Sequence, residues 1–232
     1  QAGPPPRQGL SPARPLAPRP GRSHEIHPQK KISVQYRPLV VSLFPVFESI
    51  TILAPGLLGA SVARAARQYG AARRVTLWAR RPEVRLQLKD KPWCDRVAET
   101  PADAARDADL VIVCAPVDQI VSLIQQIGPS LPAGAIVTDV GSVKGEICRK
   151  GHLAVPPGRH FVGSHPMAGS EKTGWEAGRA ELFQGRVTFV TPLSESDPKA
   201  VEKVAAFWTA LGSDACTVEP DAHDEIVAHI SH

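Results

Sequence analysis

Cysteine is scarce in this sequence and is not arranged in pairs. The four cysteines, at positions 94, 114, 148 and 216, show no C-x-x-C spacing of the kind that holds metals or cycles between redox states. Cys114 lies inside the apolar run at 110–115, where a reduced, structural thiol is expected. The sequence therefore predicts structural thiols and no metal site.

Long apolar segments are also missing. The best candidate, residues 38–47, is about ten residues long and contains Pro45, whereas a helix that crosses a bilayer needs about 20 apolar residues. We therefore expect no transmembrane segment and a cytoplasmic location.

Acidic residues are nearly absent from the first 47 positions. This segment contains seven Lys and Arg and ten of the 23 prolines, with Glu25 as its single acid. Such a composition buries too little apolar surface to offset the entropy of ordering, so residues 1–47 are predicted to form a disordered Pro/Arg-rich extension. An organelle targeting signal is the alternative. Because this segment carries the positive charge behind the net +4, the remainder is slightly acidic and nucleic-acid binding is not expected.

The remaining sequence has the composition of a globular protein, with 43% hydrophobic and 22% charged residues in the whole chain. Strand-like and helix-like patterns alternate, which favours a doubly wound α/β sheet over residues 48–220. A helical pattern then begins at Asp221 and the sequence stops, so residues 221–232 are expected to be the first turns of a truncated helical domain. The predicted strands are 50–53, 75–78, 110–115, 135–139, 160–163, 187–191 and 215–218, and the predicted helices are 57–69, 120–127 and 198–211, with a short one at Thr100.

A glycine-rich turn joins the first predicted strand to the first helix. It reads A-P-G-L-L-G and resembles a dinucleotide-binding fingerprint whose first glycine is replaced by Ala54. Because Pro55 biases position 54 towards extended dihedral angles, the turn should keep its shape if that position needs no positive φ, and be distorted otherwise. A tight turn without a ligand is the alternative. The candidate cofactor-binding residues of this turn are Ala54, Gly56, Leu57, Leu58 and Gly59.

The end of the second predicted strand lacks the acid that an NAD site would place there for the ribose hydroxyls. The sequence reads W-A-R-R, with Arg80 and Arg81 where the acid is expected. Two guanidinium groups suit a 2′-phosphate, so NADP is predicted in preference to NAD. The alternative is that both arginines are solvated loop residues.

Residues 138–185 are polar and glycine-rich, and their loops follow predicted strands, where an open α/β sheet carries its ligand chemistry. His165 is predicted to lie just beyond a strand, in a Gly- and Ser-rich loop; a core histidine is the alternative. Ser142 follows the preceding strand. We expect the two side chains to converge on one substrate hydroxyl, with His165 as base and Ser142 as hydrogen-bonding partner.

Four motifs carry a resemblance to a known family. They are D-V-G-S-V-K-G at 139–145, G-S-H-P-M-A-G-S-E-K-T-G at 163–174, L-F-Q-G at 182–185 and H-D-E-I-V-A-H-I-S-H at 223–232. Together they resemble the nucleotide-binding domain of prephenate or arogenate dehydrogenases, the dehydrogenases of tyrosine biosynthesis. The resemblance covers residues 50–232 and implies a Rossmann-type domain followed by a helical dimerisation domain.

The resemblance implies an NAD(P)-dependent oxidative decarboxylation of prephenate to 4-hydroxyphenylpyruvate, or of arogenate to tyrosine. In such a reaction His165 accepts the proton of the ring hydroxyl while hydride leaves the same carbon for the nicotinamide, and loss of CO2 aromatises the ring. Ser142 would hydrogen-bond the hydroxyl. Further implied residues are Ala115 and Pro116 beside the cofactor, and Ser170, Glu171 and Lys172 at the substrate rim. For the last two, an ion pair that stabilises the loop is the alternative.

The sequence departs from the family pattern at Ala54 and at its end. In the family, the helical domain forms the homodimer and supplies a basic residue for the substrate carboxylate. We therefore expect this chain alone to bind cofactor and to turn over substrate poorly. Two other functions stay open: a β-hydroxyacid-type dehydrogenase, which G-S-H-P argues against, and a non-catalytic nucleotide-binding module, which would not need Ser142 and His165.

Overall fold

The computed structural model describes residue 3, residues 35–36 and residues 45–230. Its strands are β1 (Gln35–Tyr36), β2 (Phe47–Leu53), β3 (Ala72–Trp78), β4 (Arg96–Val97), β5 (Leu110–Val113), β6 (Ile136–Asp139), β7 (His160–Phe161), β8 (Gly163–Pro166), β9 (Val187–Thr191) and β10 (Asp214–Thr217). The larger sheet is parallel, in the order β4-β3-β2-β5-β6-β7. This is the strand order of a Rossmann fold, with its switch point between β2 and β5. The predicted doubly wound α/β fold is confirmed.

Helices connect the strands of this sheet. They are α1 (Leu57–Gln68), α2 (Pro82–Leu88), α3 (Pro101–Ala105), α4 (Val117–Ile127), α5 (Gly145–Ala154), α6 (Pro198–Ala210) and α7 (Pro220–Ile230), with 3-10 helices at Gly128–Ser130 and Ala180–Phe183. The helix expected at Thr100 forms because the Thr100 hydroxyl accepts the Asp103 amide at 3.1 Å. The sequence did not predict α2 or α5, since neither shows a continuous apolar stripe.

The core lies on both faces of the sheet. Successive residues of a strand point to opposite faces, so Ile52 packs with Trp208 of α6 on one side, while Leu53 packs with Ile124 of α4 on the other. Both faces are therefore covered, which explains why the central strand β5 reads as an unbroken apolar run.

A second sheet, which the sequence did not reveal, has the order β1-β10-β9-β8. Strand β8 runs antiparallel to β9, and β10 runs parallel to β9. The sequence predicted one strand at 160–163, whereas the structure has β7 in the large sheet and β8 in the small one, separated at Val162. The chain changes sheets here, and local periodicity cannot detect such a change because both strands look alike.

Most of the segment predicted to be disordered, 1–47, lies outside the described residues. Within it, the structure describes β1, which pairs antiparallel with β10, and Phe47, which already belongs to β2. Among the described residues, every helix is too short or too polar to span a bilayer.

Candidate functional site

The turn after β2 requires a left-handed backbone at the position where a glycine was expected. Ala54 has a φ of 59° and is the one non-glycine residue with positive φ in the described part of the chain. The expectation that Pro55 would keep Ala54 extended is therefore wrong. The left-handed Ala54 leads into a closed turn, in which the Gly56 amide donates to the Ala54 carbonyl at 2.8 Å. The strain in such a residue is about 1–2 kcal/mol.

The two glycines of the turn serve different purposes. A Cβ added to Gly56 would meet no atom within 4 Å, so the backbone there is open to a ligand. A Cβ added to Gly59 would lie 3.0 Å from the Ile52 side chain and 3.2 Å from Cys114, so that glycine allows α1 to pack closely on the sheet. No described side chain caps the N-terminus of α1, which leaves its first amides available to a phosphate.

A cleft of about 570 Å³ opens in front of this turn. Its walls bring together the turn after β2, the end of β3, the start of α4 and a loop before the second 3-10 helix. The predicted cofactor residues that line it are Ala54, Gly56, Arg80, Arg81 and Pro116. Leu57, Leu58, Gly59, Ala115, Ser142 and His165 do not line it. Sequence reasoning missed Trp78 and Trp175, which also form its walls.

The Arg80 and Arg81 side chains are exposed at the rim of this cleft. Neither forms an ion pair with any described residue. Arg85 is different: it is partly buried, donates to the carbonyl of Ala79 at 2.9 Å and pairs with Glu99 at 3.1 Å. Two unpaired cations therefore face the cleft, and a third holds their loop in place.

A buried polar cluster joins β6 to β8. The Asp139 carboxylate is fully buried and accepts the Lys144 ammonium, the Gly141 amide at 2.8 Å and the Ser164 amide at 3.2 Å. Lys144, also fully buried, donates to the Ser164 carbonyl at 3.0 Å. Trp208 of α6 donates to the Ser164 hydroxyl at 3.0 Å. The motifs at 139–145 and 163–174 are thus held together at the carboxyl end of β6.

His165 lies within strand β8, opposite Phe189 of β9, and not in a loop beyond a strand as predicted. The strand extends through it because β9 offers a pairing edge that the sequence pattern did not show. The ring is partly exposed, and His165 directly follows the residue that Asp139 holds. This places it at the carboxyl edge of the large sheet, where the predicted chemistry was expected.

Two residues of α7 lie on the buried side of His165. His165 Nδ1 is 2.9 Å from Nε2 of His223, whose Nδ1 is 2.8 Å from an oxygen of Asp224. The Asp224 carboxylate also accepts the amides of Lys144 and Gly145, at 2.8 and 2.9 Å. Burial, followed by the charges of His223 and Lys144, lowers the pKa of His165 to about 4. His165 is therefore neutral near pH 7 and can accept a proton.

Ser142 is exposed in the loop between β6 and α5. It shares this corner of the sheet with His165, but no hydrogen bond between the two is present among the described residues. Ser170, Glu171 and Lys172 are exposed in the loop after β8, where the Lys172 amide donates to the Ser170 hydroxyl at 3.1 Å. No ion pair joins Glu171 to Lys172 in this described loop.

The site contains residues that sequence reasoning did not assign. Asp139, Lys144, His223 and Asp224 all surround His165 or support its strand. Their signal was present in the motifs at 139–145 and 223–232, yet only contacts across the fold connect the two. No group of three metal-ligating side chains occurs in the part of the chain that the structure describes.

Comparisons with known proteins show which proteins this chain resembles. The family model described as "Prephenate dehydrogenase, nucleotide-binding domain" matches residues 62–216. A cyclohexadienyl dehydrogenase of Zymomonas mobilis is 33% identical over 193 residues, which are 81% of this chain and 64% of that protein. A prephenate dehydrogenase of Bacillus subtilis is 27% identical over 186 residues, which are 80% of this chain and 50% of that protein. The chain thus spans between half and two thirds of the length of these relatives.

Solved structures show the same likeness. The crystal structure of prephenate dehydrogenase from Aquifex aeolicus superposes with a TM-score of 0.73 at 28% identity, over 79% of this chain and 66% of that one. The structure of Synechocystis arogenate dehydrogenase superposes with a TM-score of 0.74 at 27% identity, over 79% and 64% of the two chains. A further A. aeolicus structure, which contains hydroxyphenyl propionate and NAD+, has a TM-score of 0.71 at 27% identity over 77% of this chain and 62% of that one.

Proposed function

Because this chain belongs to the family of prephenate dehydrogenase nucleotide-binding domains, we propose that it binds a nicotinamide dinucleotide and serves in the oxidation of prephenate or arogenate. The observation that carries the proposal is a neutral, partly exposed His165 at the carboxyl edge of the sheet that holds the glycine turn. Parallel strands are about 4.8 Å apart, so the turn after β2 and the end of β6, two strands away, are separated by about 10 Å. A dinucleotide laid across the switch point spans such a distance.

The turn after β2 suits the pyrophosphate. Gly56 leaves open space where a side chain would stand, and the first amides of α1 have no side-chain cap. We propose that Ala54, Gly56, Leu57 and Leu58 approach the pyrophosphate, that Gly59 allows the close packing of α1, and that Ala115 and Pro116 lie beside the nucleotide.

His165 supplies the proton chemistry. Its lone pair takes the proton of the ring hydroxyl. A nicotinamide held in the cleft would supply the acceptor for the hydride that leaves the same carbon. The ring then loses CO2, and the C–C bonding electrons complete the aromatic ring. The proton returns to the phenol oxygen, so that atoms and charge balance. We assign Ser142 as a hydrogen-bonding partner of the hydroxyl, and Ser170, Glu171 and Lys172 to the rim of the substrate site.

Nucleotide binding and turnover test this function separately. Calorimetry with NADP and NAD should show binding to the wild-type chain, and reduction of the nicotinamide should be measured in the catalytically active protein, with prephenate and with arogenate. His165→Asn should keep the nucleotide affinity and lower turnover by about 100-fold or more, the usual contribution of a general base. Absence of nucleotide binding, or full turnover by His165→Asn, would contradict the proposal.

We further propose NADP as the preferred nucleotide, on the evidence of the unpaired Arg80 and Arg81 at the cleft. Arg80→Ala and Arg81→Ala should each weaken NADP binding by about tenfold, because a charge-assisted contact contributes about 1.5–3 kcal/mol, and should leave NAD binding almost unchanged. Arg106→Ala, an exposed arginine outside the cleft, removes the same charge and should alter neither affinity. Equal losses for NADP and NAD would reject the preference.

The substrate is a small molecule, and a homodimer is the proposed assembly of the protein that acts on it. The relatives' names, which refer to prephenate, cyclohexadienyl compounds and arogenate, support the substrate class, whereas the homodimer is what the family resemblance implies. Sedimentation of the catalytically active protein checks the assembly: a monomer that retains full turnover would contradict it.

A further inference from the structure

The helix α7 brings two side chains to the side of His165 that faces away from solvent. His223 is fully buried and lies edge-on to both His165 and Phe189, with ring centres 5.1 and 5.2 Å away. Its two ring nitrogens are both engaged, one by His165 Nδ1 and the other by Asp224. A buried histidine with both nitrogens in short contacts is held in one orientation.

The contacts of Asp224 determine which atoms carry protons. Its carboxylate accepts the Lys144 and Gly145 amides and has no proton to give, because these bonds and His223 lower its pKa despite partial burial. Nδ1 of His223 must therefore be the donor to Asp224. A neutral His223 then has a bare Nε2, which accepts a hydrogen bond from the Nδ1–H of His165 at 2.9 Å.

This order leaves one nitrogen of His165 without a proton. A neutral imidazole carries a single N–H, and that proton is committed to His223. Nε2 of His165 has no hydrogen-bond partner among the described residues, so its lone pair is free for a ligand. We propose that His223 and Asp224 are positioning residues that fix the tautomer of His165, so that Nε2 is the atom that accepts the substrate proton.

The charged surroundings agree with this assignment. The titratable groups near the His165 ring are His223 and Asp224 from α7 and Lys144 before α5, while β9 contributes the uncharged Phe189. Lys144 is already paired with Asp139 in the buried cluster. Asp224 is therefore the anion that holds the proton of His223 on Nδ1 and leaves Nε2 as an acceptor. In this arrangement a carboxylate orients a histidine through the nitrogen that does not face the reacting group.

The inference rests on the proposed role of His165, but its main test does not need turnover. Long-range proton–nitrogen NMR correlation of the labelled chain identifies the tautomer of each neutral histidine at pH 7.5. The wild-type chain should show His165 protonated at Nδ1 and bare at Nε2. Detection of His165 as the Nε2–H tautomer in the wild-type chain would overturn the proposal, whatever the enzyme activity.

Two substitutions at one position sharpen the test. His223→Phe removes the acceptor and should let His165 populate the Nε2–H tautomer, whereas His223→Gln places an amide oxygen near the former Nε2 and should preserve the Nδ1–H tautomer. In the active protein, His223→Phe should lower kcat by ~10–100-fold with little change in KM, the usual effect of losing an orienting outer partner, and His223→Gln should recover most of it. If His223→Phe fails to fold, Asp224→Leu removes the anion and should also release the tautomer. An unchanged His165 tautomer in folded His223→Phe or Asp224→Leu would refute the role of α7.

Discussion

Ala54 adopts the left-handed conformation that the turn after β2 requires, although its methyl group disfavours it. The other described residues with positive φ are glycines. The strain is confined to this turn, in which Pro55 follows Ala54 and the Gly56 amide donates a hydrogen bond to the Ala54 carbonyl. A glycine at this position would relieve it at no steric cost.

Ala54→Gly should therefore raise the free energy of unfolding by about 1 kcal/mol, because relief of the left-handed strain exceeds the entropy that glycine adds to the unfolded chain. Urea denaturation measures the change. Ala133→Gly, at an exposed position without positive φ, is the control and should destabilise by about 0.4–1 kcal/mol. A loss of stability in Ala54→Gly would show that the turn is not strained.

The depressed pKa of His165 makes the stability of the domain depend on pH. The folded ring resists protonation until about pH 4, whereas an unfolded histidine titrates near 6.5. As the pH falls, the unfolded state therefore binds the proton first. The part of the free energy of unfolding that depends on His165 is fully present above about pH 6.5 and is lost as the pH falls towards 4. Urea denaturation from pH 7.5 to 4 should show this decline, and His165→Asn should make it shallower. Equal slopes would contradict the shifted pKa.

At the scale of elements, the two glycines at the start of α1 have different surroundings. Gly56 faces open space at the N-terminus of α1, whereas Gly59 faces Ile52 of β2 and Cys114, the residue that directly follows β5. The same substitution at each position should thus have different effects. Three positions along the chain separate the glycine that faces open space from the glycine that packs on the sheet.

Gly56→Ala should fold with nearly wild-type stability and lose about tenfold or more in nucleotide affinity, because the new methyl group stands where we propose that the pyrophosphate approaches. Gly59→Ala should instead lower the free energy of unfolding by about 1–3 kcal/mol, the range for overpacking a core. Calorimetry and urea denaturation of both variants separate the two effects. Wild-type affinity in Gly56→Ala would place the nucleotide elsewhere.

At the scale of the whole molecule, one buried ion pair connects the two sheets. Asp139 ends β6 of the large sheet, and Lys144 and Asp139 both bond the backbone of Ser164 in β8 of the small sheet. A buried pair adds little net stability when intact, but removal of one partner leaves an uncompensated charge.

Lys144→Met should lower the free energy of unfolding by about 3–5 kcal/mol, because Asp139 then stays charged and buried without its partner. Lys150→Met breaks the exposed pair with Glu146 and is the matched control, with an expected change of less than about 0.5 kcal/mol. Thermal and urea unfolding provide the comparison. A Lys144→Met variant as stable as Lys150→Met would mean that water reaches Asp139.

Much of the fold follows from sequence because its determinants are local. The apolar run of β5, the Thr100 cap and the glycine turn each depend on neighbouring residues, and the family follows from motifs of four to twelve residues. The sequence also predicted that His165 lies close to the end of a strand, but it did not show that the strand includes this residue. Such signals need no knowledge of distant contacts.

The tertiary structure decided what depends on contacts between distant parts of the chain. The positive φ of Ala54 occurs where the chain leaves β2 for α1, two elements whose positions are set by packing, and the second sheet results from pairing of β8 with β9. The contact between His165 and His223 joins positions 58 residues apart. No periodicity or motif carries that pairing, because it exists only once α7 has packed against β9 and enclosed the histidine ring.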